Sequence, residues 1–148
     1  MAMKTCRYCG IVALNHICPV SKKNKNYNDS KREDKEIYWD KKWKKLREEV
    51  LEYQKNICLW SLYVEGTITE ANQVHHIITL ADDRTLAYDI ENVIGLSKDA
   101  HDHIHKLYKI NKTNTIKLIR ECLRLWNNNN GIKFAGTLKH KLNSTPPV

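Results

Sequence analysis

The spacing of hydrophobic residues predicts a helix over residues 37–54. Apolar and aromatic side chains recur there at helical steps, while lysines and glutamates occupy the opposite face. The apolar face consists of Trp39, Trp43, Leu46, Val50 and Tyr53. We interpret its tryptophans as core anchors rather than as platforms for base stacking, because this spacing is typical of a buried face.

The pattern changes around Gly66, where β-branched residues become frequent. Residues 64–80 therefore predict a hairpin or a pair of short strands. Residues 81–91 are polar and predict a loop, and residues 92–96 predict a short second strand.

A helix is predicted directly after this strand. Ser97 offers an N-cap, and Asp99 places a negative charge in the first turn. The helix runs through His101, His105 and Tyr108.

The last periodic segment predicts a helix over residues 113–126. Asparagines 127–130 and Gly131 end it, and the rest of the chain is a basic tail. The apolar stripe of this helix contains Ile116, Ile119, Cys122, Leu123 and Trp126.

Composition limits the class of protein. The chain has 148 residues, 41% of them hydrophobic, which suffices for one ordinary domain or a small domain with appendages. No apolar run approaches the roughly 18 residues that a spanning helix needs, and the N-terminus has no signal-peptide segment. We therefore expect a cytoplasmic protein with no membrane partner.

Charge is distributed unevenly along the chain. Residues 1–45 carry a net +7, residues 46–105 carry −7 and residues 106–148 carry +8. Clustered basic charge suits a nucleic-acid backbone, although the same charge also increases solubility. The acidic middle holds most of the histidines, which suggests a metal or catalytic centre there.

The N-terminal cysteines have the spacing of a metal site. Cys6 and Cys9 are followed by His16 and Cys18, four ligands that suit tetrahedral zinc. We predict a zinc knuckle over residues 1–20, with a flexible tail bearing incidental cysteines as the alternative. A thioredoxin-type redox pair is disfavoured because the βαβ pattern around it is missing.

A second cluster of metal-binding residue types lies in the middle of the chain. His101 and His105 lie one turn apart on one helix face, whereas His103 points elsewhere. Neighbouring residues of a strand face opposite sides, so one of His75 and His76 can join these ligands while the other cannot.

The remaining histidine of the pair and an asparagine complete the predicted site. A metal-free imidazole has a pKa of about 6.5 and can take a proton from water. Asn92 can brace the loop between strand and helix, because its amide both donates and accepts.

Residues 74–105 resemble the HNH nuclease motif, also called the ββα-metal or His-Me finger. The order His-His, Asn, His-x3-His resembles the DNase domains of colicin-type toxins. The preceding helix and the cysteine-rich start resemble small HNH endonucleases of bacteriophages. The resemblance implies an α+β fold, in which a small ββα-metal core is flanked by helices and preceded by the zinc knuckle.

The same resemblance implies roles for the cluster. His75, His101 and His105 would hold one divalent metal, His76 would be the general base, and Asn92 would have a structural role in the catalytic site. Many relatives have Asp at position 75. Three neutral nitrogens suit Zn²⁺, Ni²⁺ or Mn²⁺ better than Mg²⁺, which prefers oxygen.

One feature departs from the phage relatives, many of which hold a structural zinc between two Cys-x2-Cys pairs. Cys58 remains here, but Ser61, Ser97 and Ala100 occupy the other positions. We therefore predict that packing replaces this zinc. The predicted core residues are Trp60, Leu62, Ile77 and Leu96, with Cys58 and Cys122 as buried thiols.

The sequence thus predicts a metal-dependent endonuclease acting on DNA. The resemblance further implies that a phage encodes it and that it works in the cytoplasm of the bacterial host. Lysines and arginines from both basic ends would contact flanking phosphates, with Arg84 and Lys98 as further phosphate-binding candidates near the site. The alternatives are a non-catalytic zinc-containing DNA-binding module and a packaging component that works with terminase and portal.

The predicted organisation has four parts. The zinc knuckle is followed by a basic linker over residues 21–36. The HNH core with its preceding helix covers residues 37–110, and the C-terminal helix and basic tail cover residues 111–148.

Overall fold

A computed structural model describes residues 2–7, 9–17, 32–129 and 131–143 of the chain. These residues belong to two compact units, Met1–Asp40 and Lys41–Val148. Within the described ranges, none of the helices combines the length and the apolar character that crossing a bilayer requires.

The first unit contains a small hairpin and a helix. Strands β1 (Met3–Cys6) and β2 (Gly10–Ala13) pair antiparallel, with Cys6 opposite Gly10. Gly10 has a φ of 77°, a backbone conformation that favours glycine at the turn. Helix α1 (Arg32–Trp39) begins inside the segment for which a linker was predicted, and most of that segment lies outside the described residues.

The predicted helix over residues 37–54 is in fact two helices. Helix α1 ends at Trp39, and helix α2 (Lys41–Tyr53) follows after Asp40. Trp39 is 77% exposed, so its assignment as a core anchor is wrong. Tyr53 is also exposed, and the buried face of α2 consists of Trp43, Leu46 and Val50. The apolar spacing stays helical across Asp40, so it does not indicate that the helix is interrupted there.

The prediction of a hairpin within residues 64–80 is also wrong. Residues Ser61–Glu65 form a short π-helix, which ends at Gly66 with a φ of 76°. Its residues are mostly buried, and packing overrides the β-branched character of Val64. The single strand of this segment, β3 (Gln73–His76), pairs antiparallel with β4 (Val93–Leu96).

Helix α2 is tied to this hairpin by a buried glutamine. The side-chain oxygen of Gln54 accepts from the Gly95 N–H at 2.9 Å, and its nitrogen donates to the Gly95 carbonyl at 3.1 Å. A Cβ at position 95 would lie 2.8 Å from the Gln54 nitrogen. The close approach explains why a glycine occupies this strand position.

Helix α3 (Lys98–Asn127) combines the two helices that were predicted after residue 97. Ser97 caps it as expected, since its hydroxyl accepts from the Ala100 N–H at 3.2 Å. Asn111 is non-helical, with φ −151° and ψ 87°, and its side chain accepts from the Asn114 N–H. Asn111 therefore separates two helical halves, close to the predicted gap.

The predicted basic tail is partly folded. A 3-10 turn (Gly131–Phe134) and helix α4 (Lys139–Asn143) follow α3. The Leu138 N–H donates to the Tyr63 carbonyl at 2.9 Å, and Leu138 is buried. Leu138 therefore belongs to the core of the second unit, with Leu142 packed against it, and residues 144–148 lie outside the described ranges.

The predicted core is confirmed. The side chains expected to pack in place of a second zinc are fully buried, and so are both cysteines named as buried thiols. Burial raises the pKa of Cys122, so its thiol stays protonated. The fully buried set comprises Trp60, Leu62, Ile77, Leu96, Cys58 and Cys122.

Candidate metal centre

Three imidazoles converge between strand β3 and helix α3. His75 comes from the strand, and His101 and His105 come from adjacent turns of the helix. One nitrogen of each ring lies within 4.8 Å of the corresponding nitrogens of the other two. The Nε2 atoms of His101 and His105 are 3.1 Å apart, as expected for two nitrogens each about 2.0–2.1 Å from one ion.

The electrostatic environment favours the neutral form of His75 and His105. His75 is 4% exposed. Burial, and then the neighbouring imidazoles, lowers its pKa from 6.5 to about 3. Burial and the adjacent His101 also lower the pKa of His105. Neutral imidazoles have the lone pairs that a metal requires, so the donor set fits a divalent ion.

A tyrosine that sequence reasoning missed as a site residue supports His75. The Tyr108 hydroxyl donates to the Ile77 carbonyl at 2.7 Å, and its oxygen lies 3.2 Å from His75 Nε2. Tyr108 lies one helical turn after His105, and that spacing is the signal that could have identified it.

His76 points to the opposite side of the hairpin, as strand alternation predicts. Its ring stacks on the indole of Trp43 at 4.6 Å between centroids and 22° between planes. Its Nε2 lies 2.9 Å from the Ala87 carbonyl oxygen. A carbonyl only accepts, so Nε2 donates and the basic lone pair of the neutral ring is on Nδ1.

His76 is more enclosed than the sequence suggested. His76 is 5% exposed, whereas the sequence indicated only that its imidazole would be free of metal. The enclosing residues are Trp43 from helix α2 and Ala87 from the loop after β3.

Asn92 braces that loop from its far end. Its side-chain oxygen accepts from the Ile78 N–H at 2.8 Å, and its nitrogen donates to the Ile78 carbonyl at 3.0 Å. Its backbone carbonyl accepts from the Ile77 N–H at 2.8 Å. Asn92 therefore joins the end of the loop to the residues directly after His76.

The other candidates lie around this centre. Arg84 is exposed on a 3-10 turn, and Lys98 lies 3.9 Å from the carboxylate of Asp102. Their role as phosphate-binding residues stays a prediction. His103 packs edge-on against Trp60 at 5.9 Å, away from the cluster, as expected.

A second group of metal-capable side chains lies in the N-terminal hairpin. Cys6, Cys9 and His16 bring one ligand atom each within 4.8 Å of the others. Among the described side chains, the buried Nε2 of His16 has no hydrogen-bond partner. The predicted fourth ligand, Cys18, lies outside the described residues. The three described side chains could hold a metal ion.

No family model matches the sequence, and no curated protein matches it significantly. Among solved structures, the chain is similar to the manganese-bound HNH endonuclease of the deep-sea thermophilic bacteriophage GVE2. The sequences are 25% identical, the TM-score is 0.49, and the match covers 63% of this chain and 96% of the other. That protein belongs to the family that the His-His, Asn, His-x3-His motif resembles.

Proposed function

We propose that this protein is a metal-dependent endonuclease that hydrolyses DNA phosphodiester bonds. The observation that carries the proposal is the division of the histidines across one hairpin. Three imidazoles converge on one side, and His76 occupies the other side of the same strand. In-line hydrolysis needs a base next to the attacking water and a cation near the leaving oxygen.

His75, His101 and His105 would hold the divalent ion. When bound there, such an ion supplies Lewis-acid stabilisation of the charge that develops on the phosphate and on the leaving 3′ oxygen. Three nitrogen ligands favour Zn²⁺, Ni²⁺ or Mn²⁺, and Mg²⁺ remains a candidate of lower fit.

His76 would take the proton from the attacking water at Nδ1. The Ala87 carbonyl holds the Nε2 hydrogen, which fixes the tautomer, and the Trp43 indole fixes the ring plane. Asn92 would act as a positioning residue, because it fixes the backbone that directly follows His76. An enclosed imidazole with one fixed tautomer is preorganised for this transfer.

The test is a supercoiled-plasmid assay in Mn²⁺, Ni²⁺, Mg²⁺ or Zn²⁺, with a chelator control. We expect metal-dependent nicking, and His76→Ala should lower its rate by about 10²–10⁴-fold while metal affinity persists. His103→Ala is the matched control, because His103 lies on helix α3 but packs against Trp60. Equal nicking by His76→Ala and the wild type would remove His76 from the mechanism.

A second candidate is a non-catalytic DNA-binding module with structural metals. The 5% exposure of His76 favours it, because a general base must be reached by water next to the substrate. DNA binding without cleavage in each of the four metals would support this alternative and contradict the nuclease.

We also propose a structural zinc at Cys6, Cys9 and His16, with Cys18 as the fourth ligand from the sequence. The orphaned Nε2 of His16 supports a ligand role for that ring. Zinc content measured in the wild type and in Cys9→Ser tests it. One equivalent lost from the variant is the expected result, and equal content would contradict the assignment.

We also propose a phage origin and a link to genome packaging, which rest on the resemblance of the motif to small phage HNH endonucleases. In that case the protein would act with terminase and portal. A pull-down against both proteins tests this link, and no association would count against it.

A further inference from the structure

Helix α2 separates its charges along its length. Its first half carries four exposed lysines around the buried Trp43, and its second half carries three exposed glutamates. The lysines are Lys41, Lys42, Lys44 and Lys45, and we call them the α2 lysine surface.

This arrangement does not serve the helix itself. The N-terminal end of a helix carries partial positive charge, so lysines there are unfavourable and acidic residues are preferred. The first turn of α2 contains no acidic residue. Of these lysines, Lys45 approaches Glu49 at 3.9 Å, and exposed pairs of this kind contribute little to stability.

The contacts of α2 locate this surface next to the candidate base. Trp43 stacks on His76, and Lys42 Nζ lies 5.8 Å from the centre of the Tyr88 ring. Tyr88 follows Ala87, whose carbonyl is bonded to His76. Lys42 therefore borders the loop that holds His76, and the other three lysines continue from it around the exposed side of α2.

We propose that the α2 lysine surface binds the phosphate backbone of DNA on the base side of the site. The choice of DNA as partner rests on the proposed function, whereas the location rests on the contacts of α2. Lys41 lies one helical turn from Lys44 and Lys45, so these three side chains share a helix face. Their Cβ atoms are about 5–6 Å from one turn to the next. A row of exposed ammonium groups complements a row of phosphates.

A neighbouring arginine is already engaged within the fold. Arg47 Nη2 donates to the Asn72 carbonyl at 2.7 Å, which ties α2 to the residue before β3. Arg47 therefore helps to fix the helix, and it is not counted in the α2 lysine surface.

The test is DNA binding by the as-purified full chain, without added divalent ion. Fluorescence anisotropy of a labelled duplex is measured at several salt concentrations, and a gel checks that the duplex stays intact. The test variant replaces all four residues of the α2 lysine surface by glutamine. A charge-matched variant carries Lys117→Gln, Lys133→Gln, Lys139→Gln and Lys141→Gln, all on exposed positions after Asn111.

We expect the α2 variant to bind about tenfold or more weakly, with the slope of log K against log salt reduced by about 0.9 per lost phosphate contact. The charge-matched variant should lose less affinity and slope. A fourfold Lys→Arg variant of the α2 lysine surface should bind like the wild type. Equal losses in the two glutamine variants would overturn the assignment of binding to α2, because the C-terminal lysines would then contribute as much as the α2 lysine surface.

This outcome is separate from that of the plasmid assay. A wild type that binds through α2 but never cleaves would contradict the proposed nuclease and leave the docking surface standing. A wild type that cleaves, with the α2 variant binding unchanged, would overturn the docking surface and leave the nuclease standing. The thermal midpoint of the α2 variant checks its fold, and we expect no decrease because the lysines oppose the helix dipole.

Discussion

The two groups of metal-capable side chains differ in what holds them together. Cys6, Cys9 and His16 lie on and after a hairpin of two four-residue strands, where Ile11 is 74% exposed. A two-stranded hairpin is marginal in water without further packing. We therefore expect the shape of this group to depend on the ion that it would hold.

The three imidazoles of the second group lie on a packed scaffold. Ile77 and Ile104, neighbours of its ligands in sequence, are fully buried. Gln54 fixes strand β4 through two hydrogen bonds to Gly95. The imidazoles are thus brought together by the core, and a metal can enter a site that already has its shape. Metal binding to the first group would be coupled to folding of the hairpin. Metal binding to the second group would serve function alone.

The largest effect should come from removing metal. Treatment with EDTA should unfold the β1–β2 hairpin completely, because its apolar side chains do not stabilise it. Amide chemical shifts of residues 3–16 should collapse towards random-coil values, while those of residues 73–105 remain dispersed. Cys9→Ser should reproduce the collapse without chelator. A hairpin that keeps its dispersion in EDTA would refute a metal-dependent fold.

Removing one ligand from the second group should have a large effect on activity and a small one on stability. His105→Ala should lower nicking by about 10³-fold, because the loss of metal removes several kcal/mol of transition-state stabilisation. His105 is exposed, so the free energy of unfolding of the metal-free protein should change by about 0.5 kcal/mol or less. Plasmid nicking and urea unfolding measure the two effects.

The exposed His140 on helix α4 provides the matched control for this substitution. His140→Ala should change neither nicking nor stability. A His105→Ala protein that unfolds without metal would contradict the view that packing alone shapes the site.

Replacing the indole that stacks on His76 should have an intermediate effect. Trp43→Leu should lower the maximal nicking rate about tenfold to hundredfold, because a small displacement of a catalytic group is costly. Metal affinity should stay unchanged, since the three imidazoles lie on the other side of the hairpin. Trp43→Phe should recover much of the rate, because it restores an aromatic face.

Stability must be separated from positioning in this experiment. Leu46→Ala removes a buried side chain from the same small cluster of α2 and should destabilise the fold without changing the rate of the folded protein. If Leu46→Ala and Trp43→Leu slow nicking equally, Trp43 is a core residue with no separate role towards His76.

The parts of the site that the sequence could predict are those set by local geometry. Residues four apart on a helix share a face, which predicts that His101 and His105 lie together. Neighbours on a strand face opposite sides, which predicts that His75 and His76 are separated. The cap at Ser97 is likewise local, because a hydroxyl and an N–H three residues apart suffice for it.

The parts that could not be predicted depend on contacts between distant segments. Trp43 and His76 are far apart in sequence, and the apolar period marks Trp43 only as buried. The same period marked Trp39, which is exposed. The hydrogen bond from the Leu138 N–H to the Tyr63 carbonyl was missed for the same reason. Nothing in the sequence of a short basic segment indicates which distant carbonyl it will contact.

The smallest effect is expected at Tyr108, which supports a metal ligand from outside the cluster. Its hydroxyl bonds to the Ile77 carbonyl and lies next to His75 Nε2, and burial raises its pKa so that it stays protonated. Tyr108→Phe should weaken metal affinity about tenfold, as the loss of an outer partner of a ligating histidine usually does. Competition with a chromophoric chelator measures this change, and Tyr38→Phe in helix α1 is the control. An unchanged affinity would mean that packing alone orients His75. The imidazole site would then differ even more from the N-terminal hairpin, whose shape is expected to depend on metal.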